Sequence, residues 1–268
     1  MDIIANKYQL LNQINKGSFG QIFRGKNSRT GEIVAIKREN KSETIKVLVS
    51  EAKIYQYLGK QDGFLQLKWF GTDEKYNYLV FDLLGYSLKD TMDTSKMSFI
   101  TCLELGIQII ERIKVLHDHH LLHRDIKPDN FVFGQGENTN KLYLIDLGFC
   151  KRFNYNGKHI EETYNNKLIG SPNFVSLFIH KGCQASRRDD VISAIYVIAY
   201  MMLGKLDWFN SPNFETMVQE KENFNTNHMR FTFLKDMLHD CYNLSFDAKP
   251  DYEYLIYILS HVYKKVNL

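Results

Sequence analysis

Proline is scarce in this 268-residue chain, occurring only as Pro128, Pro172, Pro212 and Pro250. No Gly/Ser-rich linker, repeat or low-complexity tract accompanies them, so any internal boundary must sit in a short connection. Cysteine is scarce too. Cys102, Cys150, Cys183 and Cys241 form no C-x-x-C pair and have no His at metal-ligand spacing. That excludes a zinc site and a disulfide framework, and leaves reduced thiols used mainly for packing. No run of eighteen apolar residues exists, and the start MDIIANKYQLL lacks a basic region followed by an apolar stretch. Neither a membrane span nor a secretory signal is readable, and intracellular residence, cytoplasmic or nuclear, is the expectation. Charge is nearly balanced, 34 Lys and Arg against 31 Asp and Glu for a net +3, which argues against a dedicated nucleic-acid binder. What is present, 44% hydrophobic and 13% aromatic residues with 24% charged, is the composition of a folded chain with one large core or two moderate ones.

The hydrophobic periodicity changes along the chain. The first eighty residues read as short strands over 8–14, 21–25, 33–38, 64–71 and 76–81, with one helix over 43–58 on whose face Val47, Ile54, Tyr55 and Leu58 recur. After Leu84-Gly85 helical periodicity takes over, at 87–91, 98–117, 189–203 and 252–263, interrupted by short strands near 131–133 and 142–145. The expectation is an α+β chain: a small β-rich part, 1–81, with one main helix, a connection at 82–85, and a larger helical part, 86–268. A cleft between two such parts is a common ligand site.

Three groups of residues carry chemistry. Gly17-Ser18-Phe19-Gly20 lies between two expected strands, where missing Cβ atoms let backbone N–H groups approach phosphate oxygens, although the same string also suits an ordinary hairpin turn. Val34-Ala35-Ile36-Lys37 ends a strand on a lysine, and the helix that follows carries Glu51; an acidic partner can hold the ammonium group against phosphates, whereas a strand lysine alone is usually solvated. Most informative is His123-Arg124-Asp125-Ile126-Lys127-Pro128-Asp129-Asn130, followed by Ile145-Asp146-Leu147-Gly148. Phosphoryl transfer needs a carboxylate to orient an attacking hydroxyl and accept its proton, and oxygen ligands for magnesium. Asp125, Asn130 and Asp146 are of those types.

With these strings the chain resembles the eukaryotic protein kinase superfamily over nearly its whole length. Within it, the chain is similar to the casein kinase I family, through Glu51-Ala52-Lys53-Ile54-Tyr55, Phe81-Asp82-Leu83-Leu84-Gly85-Tyr86-Ser87-Leu88, Lys127-Pro128-Asp129-Asn130-Phe131, Ser186-Arg187-Arg188-Asp189-Asp190, and the run from Asp247 to Leu255. The resemblance implies a two-lobed kinase fold and a serine/threonine kinase that uses ATP and Mg²⁺ on protein substrates, acidic ones included. A monomer that engages neither nucleic acid nor membrane is expected. It also implies roles. Asp125 would be the catalytic base, Lys127 would neutralise the γ-phosphate, and Asn130 and Asp146 would hold Mg²⁺. Lys37 would contact the α and β phosphates and pair with Glu51. The run Ile14, Asn15, Lys16, Gly17, Ser18, Phe19, Gly20, Gln21 and Ile22 would cover the nucleotide. Adenine would lie against Ile14, Ile22, Ala35, Val132 and Ile145, with the backbone of Asp82 and Leu84 at its edge and Phe81 at the back of the pocket. His123 would be a packing residue.

The chain departs from the pattern in three places. Asn15 stands at the first glycine of the usual G-x-G-x-x-G; Asn tolerates left-handed backbone, so an altered but working phosphate lid is expected. Leu147 replaces the phenylalanine of Asp-Phe-Gly, one apolar side chain for another. Asn173 replaces an arginine that in the family helps bind a phosphate already on the substrate, and loss of a bidentate cation weakens such recognition. Arg124, Lys151 and Lys167 read as a second anion pocket, or as ordinary surface charge. A pseudokinase scaffold is disfavoured, since Lys37, Asp125, Asn130 and Asp146 are all present. A small-molecule phosphotransferase is disfavoured by the Asp125-x-Lys127 pattern. The segment 211–239 has no functional reading.

Overall fold

The structure, a computed structural model, describes residues 3–17, 20–44, 46–227 and 231–267. In chain order the elements are β1 (Ile3–Ile4), β2 (Tyr8–Gly17), β3 (Gly20–Asn27), β4 (Ile33–Asn40), α1 (Leu48–Leu58), β5 (Trp69–Thr72), β6 (Tyr76–Asp82), α2 (Leu88–Thr94), α3 (Phe99–Asp118), β7 (Leu121–Leu122), β8 (Phe131–Phe133), β9 (Leu142–Leu144), β10 (Lys151–Arg152), β11 (Asn154–Tyr155), β12 (Lys158–His159), α4 (Leu177–His180), α5 (Arg187–Leu203), α6 (Phe214–Asn227), α7 (Thr232–Tyr242) and α8 (Tyr252–Val266). The fold is α+β, as expected. Two compact units form: 1–85 together with 132–149, and 86–131 together with 150–268.

The first unit is built on one antiparallel sheet of order β1-β2-β3-β4-β6-β5. Alternation in β4 sends Val34 and Ile36 into a core with Ile4, Tyr8, Tyr78 and Val80, which leaves Ala35 and Lys37 on the opposite face. The helix expected from residue 43 starts at Leu48 instead. Its start is set from outside: one Glu39 oxygen, on β4, accepts the N–H groups of Val47 and Leu48 at 2.7 and 3.0 Å, and the other accepts from Asn77 Nδ2 at 3.0 Å. That carboxylate satisfies two orphan donors where Val47, at the N-cap, has no side chain to do so. The strand expected over 64–71 shrinks to β5. Phe64 and Leu65 are buried, but the backbone before them forms a turn, Phe64 N–H to Gln61 carbonyl, and Gly63 gives its carbonyl to Leu144.

The second unit is helical. Its centre is α5, buried on every side from Arg188 to Met201, the signature of a helix enclosed by others; α3 packs against α5 and α8, and α7 packs against α5. Caps fix the helix starts: Ser98 accepts from Thr101 N–H, and Asp251, just after Pro250, accepts from Tyr254 N–H, both at 3.0 Å. All of α6 and most of α7 fall within 211–239, where no helix had been expected. Among the described residues no helix is long and apolar enough to cross a membrane.

Candidate active site

In the first unit, Lys37 projects from the face of β4 opposite the core. Its Nζ lies 2.7 Å from Glu51 Oε2 and 2.7 Å from Asp146 Oδ1. Glu51 is in the first turn of α1 and buried, so the capping of that helix by Glu39 is what presents it. Asp146 follows β9 with a positive φ of 61°, a conformation Asp tolerates better than most residues. Burial by itself would lower the Lys37 pKa, but Glu51 and Asp146 outweigh it and hold the ammonium group charged well above its ordinary range. The pairing of Lys37 with Glu51 expected from the sequence is present, and Asp146 joins it.

The glycine-bearing hairpin joins β2 to β3, with Gly17 opposite Gly20, Lys16 opposite Gln21 and Asn15 opposite Ile22. A Cβ on Gly20 would lie 2.4 Å from the Arg38 carbonyl oxygen, so this position accepts no other residue without a backbone shift. Asn15 needs no left-handed backbone: it stays in the ladder, and its Oδ1 accepts the Lys16 N–H at 2.7 Å. Ser18 and Phe19 lie outside the described residues. Of the apolar residues expected around adenine, Ala35 pairs with Phe81 across β4 and β6, Phe81 and Val132 are buried, Ile22 and Ile145 are half-buried, and Ile14 is 47% exposed. Phe81 packs on Tyr55 of α1 with ring centroids 4.7 Å apart. Two features here have no motif. Lys68 bridges Asp82 Oδ1 and Glu32 Oε1, each at 2.8 Å, and Gln135 Nε2 donates to the Leu84 carbonyl at 2.8 Å, taking one of the two lone pairs on the oxygen expected at the adenine edge.

In the second unit, Asp125, Lys127 and Asn130 come together. Asp125 is buried; its Oδ2 meets Lys127 Nζ at 2.8 Å, and Asn130 Nδ2 donates to its backbone carbonyl at 2.7 Å and to Oδ2 at 3.3 Å. Asn130 thereby keeps its amide oxygen as the atom able to face a cation. Ser171 Oγ donates to Asp125 Oδ1 at 2.8 Å, a contact no spacing rule announces because forty-six residues separate the two. The loop is held from below. Asp190 of α5 accepts the N–H of His123 at 2.7 Å and of Arg124 at 2.9 Å, one on each carboxylate oxygen. Arg124 has a φ of 69°, a conformation that costs a non-glycine residue about 1–3 kcal/mol and persists where its surroundings impose it. Burial would raise the Asp190 pKa, but His117 and the backbone donors overcome this and keep the carboxylate ionised. His123 is fully buried and accepts the Asp125 N–H at 3.2 Å, a structural role.

The family model of the protein kinase domain matches residues 8–253. The chain belongs to the protein kinase family. Kinase domains use ATP and Mg²⁺ in general, and the chemistry of the donor sets suits them: a lysine kept charged between carboxylates, a strand turn with open space at Gly17, and carboxylate and amide oxygens of the kind that bind a hard cation. In the segment 171–176 of this kinase, Asn173 gives its carbonyl to Trp208 Nε1 at 2.7 Å. Lys221 of α6, buried, donates to the carbonyls of Pro172 and Val175 at 2.7 and 2.8 Å. Lys151 donates to Gln184 at 2.9 Å, its pKa lowered by burial and then by the charge of Arg124, while Lys167 is exposed.

Proposed function

We propose that this kinase is a serine/threonine protein kinase of casein kinase I type, transferring the γ-phosphate of Mg·ATP to hydroxyls of protein substrates. The observation that carries the reading is the Asp125 carboxylate, with Lys127 Nζ 2.8 Å from one oxygen and Ser171 Oγ 2.8 Å from the other. A buried acceptor held in this way can orient a substrate hydroxyl and take its proton, and a lysine beside it can neutralise the phosphate being transferred. Lysine two residues after the base is the serine/threonine pattern. ATP with Mg²⁺ supplies the phosphoryl group and the electrophilic charge at it. Asn130 and Asp146 would hold the metal ion, Lys37 would bind the α and β phosphates, and Gly17 and Gly20 would let backbone N–H groups approach them. Ala35, Ile22, Val132, Ile145 and Ile14 would line the adenine site, beside Phe81, Asp82 and Leu84.

Substrate preference follows from what the segment 171–176 offers. Asn173 brings no positive charge, and Lys221 is turned inward onto carbonyls. This supports a kinase that depends little on a phosphate already present on its substrate, with Arg124 and Lys151 as an anion site elsewhere.

The test is transfer from radiolabelled ATP and Mg²⁺ to dephosphorylated casein. Phosphoserine and phosphothreonine are expected, and Asp125→Asn should lower kcat by about 10²–10⁴-fold, the range for a general base. Full activity in that variant, or phosphotyrosine as the product, defeats the reading.

A further inference from the structure

The loop bearing Asp125 is held by Asp190, and Asp190 is itself held by a chain of two further side chains from other helices. His117, in the last turn of α3, places Nε2 3.0 Å from Asp190 Oδ2, the same oxygen that accepts the His123 N–H. On its other side His117 Nδ1 lies 2.6 Å from the hydroxyl of Tyr252, the first residue of α8. All three side chains are buried.

Proton placement along this chain follows from the acceptors. An ionised carboxylate only accepts, so His117 must carry its hydrogen on Nε2 to meet Asp190. Burial keeps the imidazole neutral by lowering its pKa, so Nδ1 is then an acceptor and needs a donor. Tyr252 is the donor that meets it, its phenol kept protonated by burial. Were Nδ1 to carry the hydrogen instead, a ring lone pair would face the carboxylate, and Asp190 would be repelled from the peptide that fixes Arg124 in its left-handed conformation, one residue before Asp125.

We propose that Tyr252 and His117 are positioning residues for phosphoryl transfer, with the Tyr252 hydroxyl selecting the His117 tautomer through which Asp190 holds the catalytic loop. This rests on the reading of Asp125 as the base.

Two measurements on the full chain test it. In ¹⁵N-edited spectra of the wild type, the His117 ring should be neutral with its proton on Nε2; a proton on Nδ1 overturns the proposal whether or not the protein turns over. In the casein assay, Tyr252→Phe should lower kcat by about tenfold, a fraction of the ~100-fold that a 1 Å misplacement can cost, with the KM for ATP unchanged. The same substitution is then made in a His117→Gln background, which has a kcat cost of its own. Glutamine has an amide N–H₂ to reach Asp190 and no tautomers, so there Tyr252→Phe should cost less than about twofold more. An equal loss in both backgrounds means that Tyr252 acts through packing alone, and no loss in either means that it does not act; each outcome overturns the proposal. A wild type with no turnover sinks the kinase reading instead, and the spectrum still decides this one.

Discussion

Lys37, its side chain 13% exposed, and Lys221, fully buried, are lysines largely withdrawn from water, one in each unit, and they are held in opposite ways. Lys37 has carboxylates on two sides at 2.7 Å, and these overcome the cost of burial and fix it as a cation. Lys221 meets the carbonyls of Pro172 and Val175 and, at 3.0 Å, His180 Nε2, all of them uncharged. Burial pushes it down to about 6. A neutral amine has two hydrogens and one lone pair, which match two carbonyls and one imidazole N–H. Burial keeps His180 neutral, pushing it to about 4, and its Nδ1, which has no partner, is then an acceptor, less costly to leave unpaired than a donor. The faces of Tyr196 and Trp208, with centroids 5.3 and 5.4 Å from Nζ, close the site. Burial alone therefore says little about what a lysine does. Acidic partners fix Lys37 as a cation, while neutral partners make Lys221 a brace for the segment that supplies Ser171 to Asp125.

Removing each lysine should separate activity from stability. Lys37→Met should reduce phosphate transfer by about 10²–10³-fold, the usual loss for one preorganised electrostatic contact, and steady-state kinetics with casein measures it. Retained turnover would end the distinction at once. Lys221→Met should act mainly on stability, since it strands the carbonyl of buried Val175 at about 1–3 kcal/mol and removes a donor from that of Pro172, seen as an earlier urea midpoint with turnover per folded molecule changed only severalfold. The two lysines should also differ in pH dependence. Lys221 is about 6 when folded and 10.5 when unfolded, so between those values the unfolded chain binds more protons and stability rises with pH. The gap in urea midpoint between wild type and Lys221→Met should accordingly widen from pH 6.5 to pH 9. Lys37, raised above 10.5, contributes stability that is fully present below that pH and is lost only above it, so its titration adds no slope in the same window. A gap that stays constant across that window would show that Lys221 is a buried cation after all.

The same contrast marks what could be read in advance. Lys37 was legible because strand alternation turns it from the core and because Glu51 follows on an amphipathic helix. The catalytic loop was legible because Asp125, Lys127 and Asn130 lie within six residues and act through local geometry. Lys221 offered no such sign: it is one lysine in a stretch rich in Asn and Glu, and its partners lie 41 to 49 residues earlier. Ser171, Gln135 and the chain from Tyr252 to Asp190 escaped for the same reason, each contact joining segments that only the fold brings together. The late start of α1 was hidden too, because its cap is a carboxylate on the preceding strand. Asn15 was misjudged by its tolerance of left-handed backbone, when a ladder position and the Lys16 N–H already account for it.

Lys114 completes the scale at its solvated end, with the smallest effect. It pairs with Asp118 at 2.8 Å in an i, i+4 arrangement on α3, both side chains about a third or more exposed. The pair runs lysine to acid from N- to C-terminus, the weaker order, and puts a carboxylate at the negative end of the helix dipole. A second acid, Glu253, reaches Lys114 only at 3.9 Å, and Asp118 has Lys249 at 3.6 Å as an alternative partner. Lys114→Ala should therefore change stability by no more than about 0.5 kcal/mol, as exposed pairs do, and by less in high salt. Urea unfolding at low and high ionic strength measures this. A loss approaching that of Lys221→Met would mean that exposure, like burial, is a poor guide to what a lysine contributes, and the partners of Lys114 would have to be weighed as those of Lys37 and Lys221 have been.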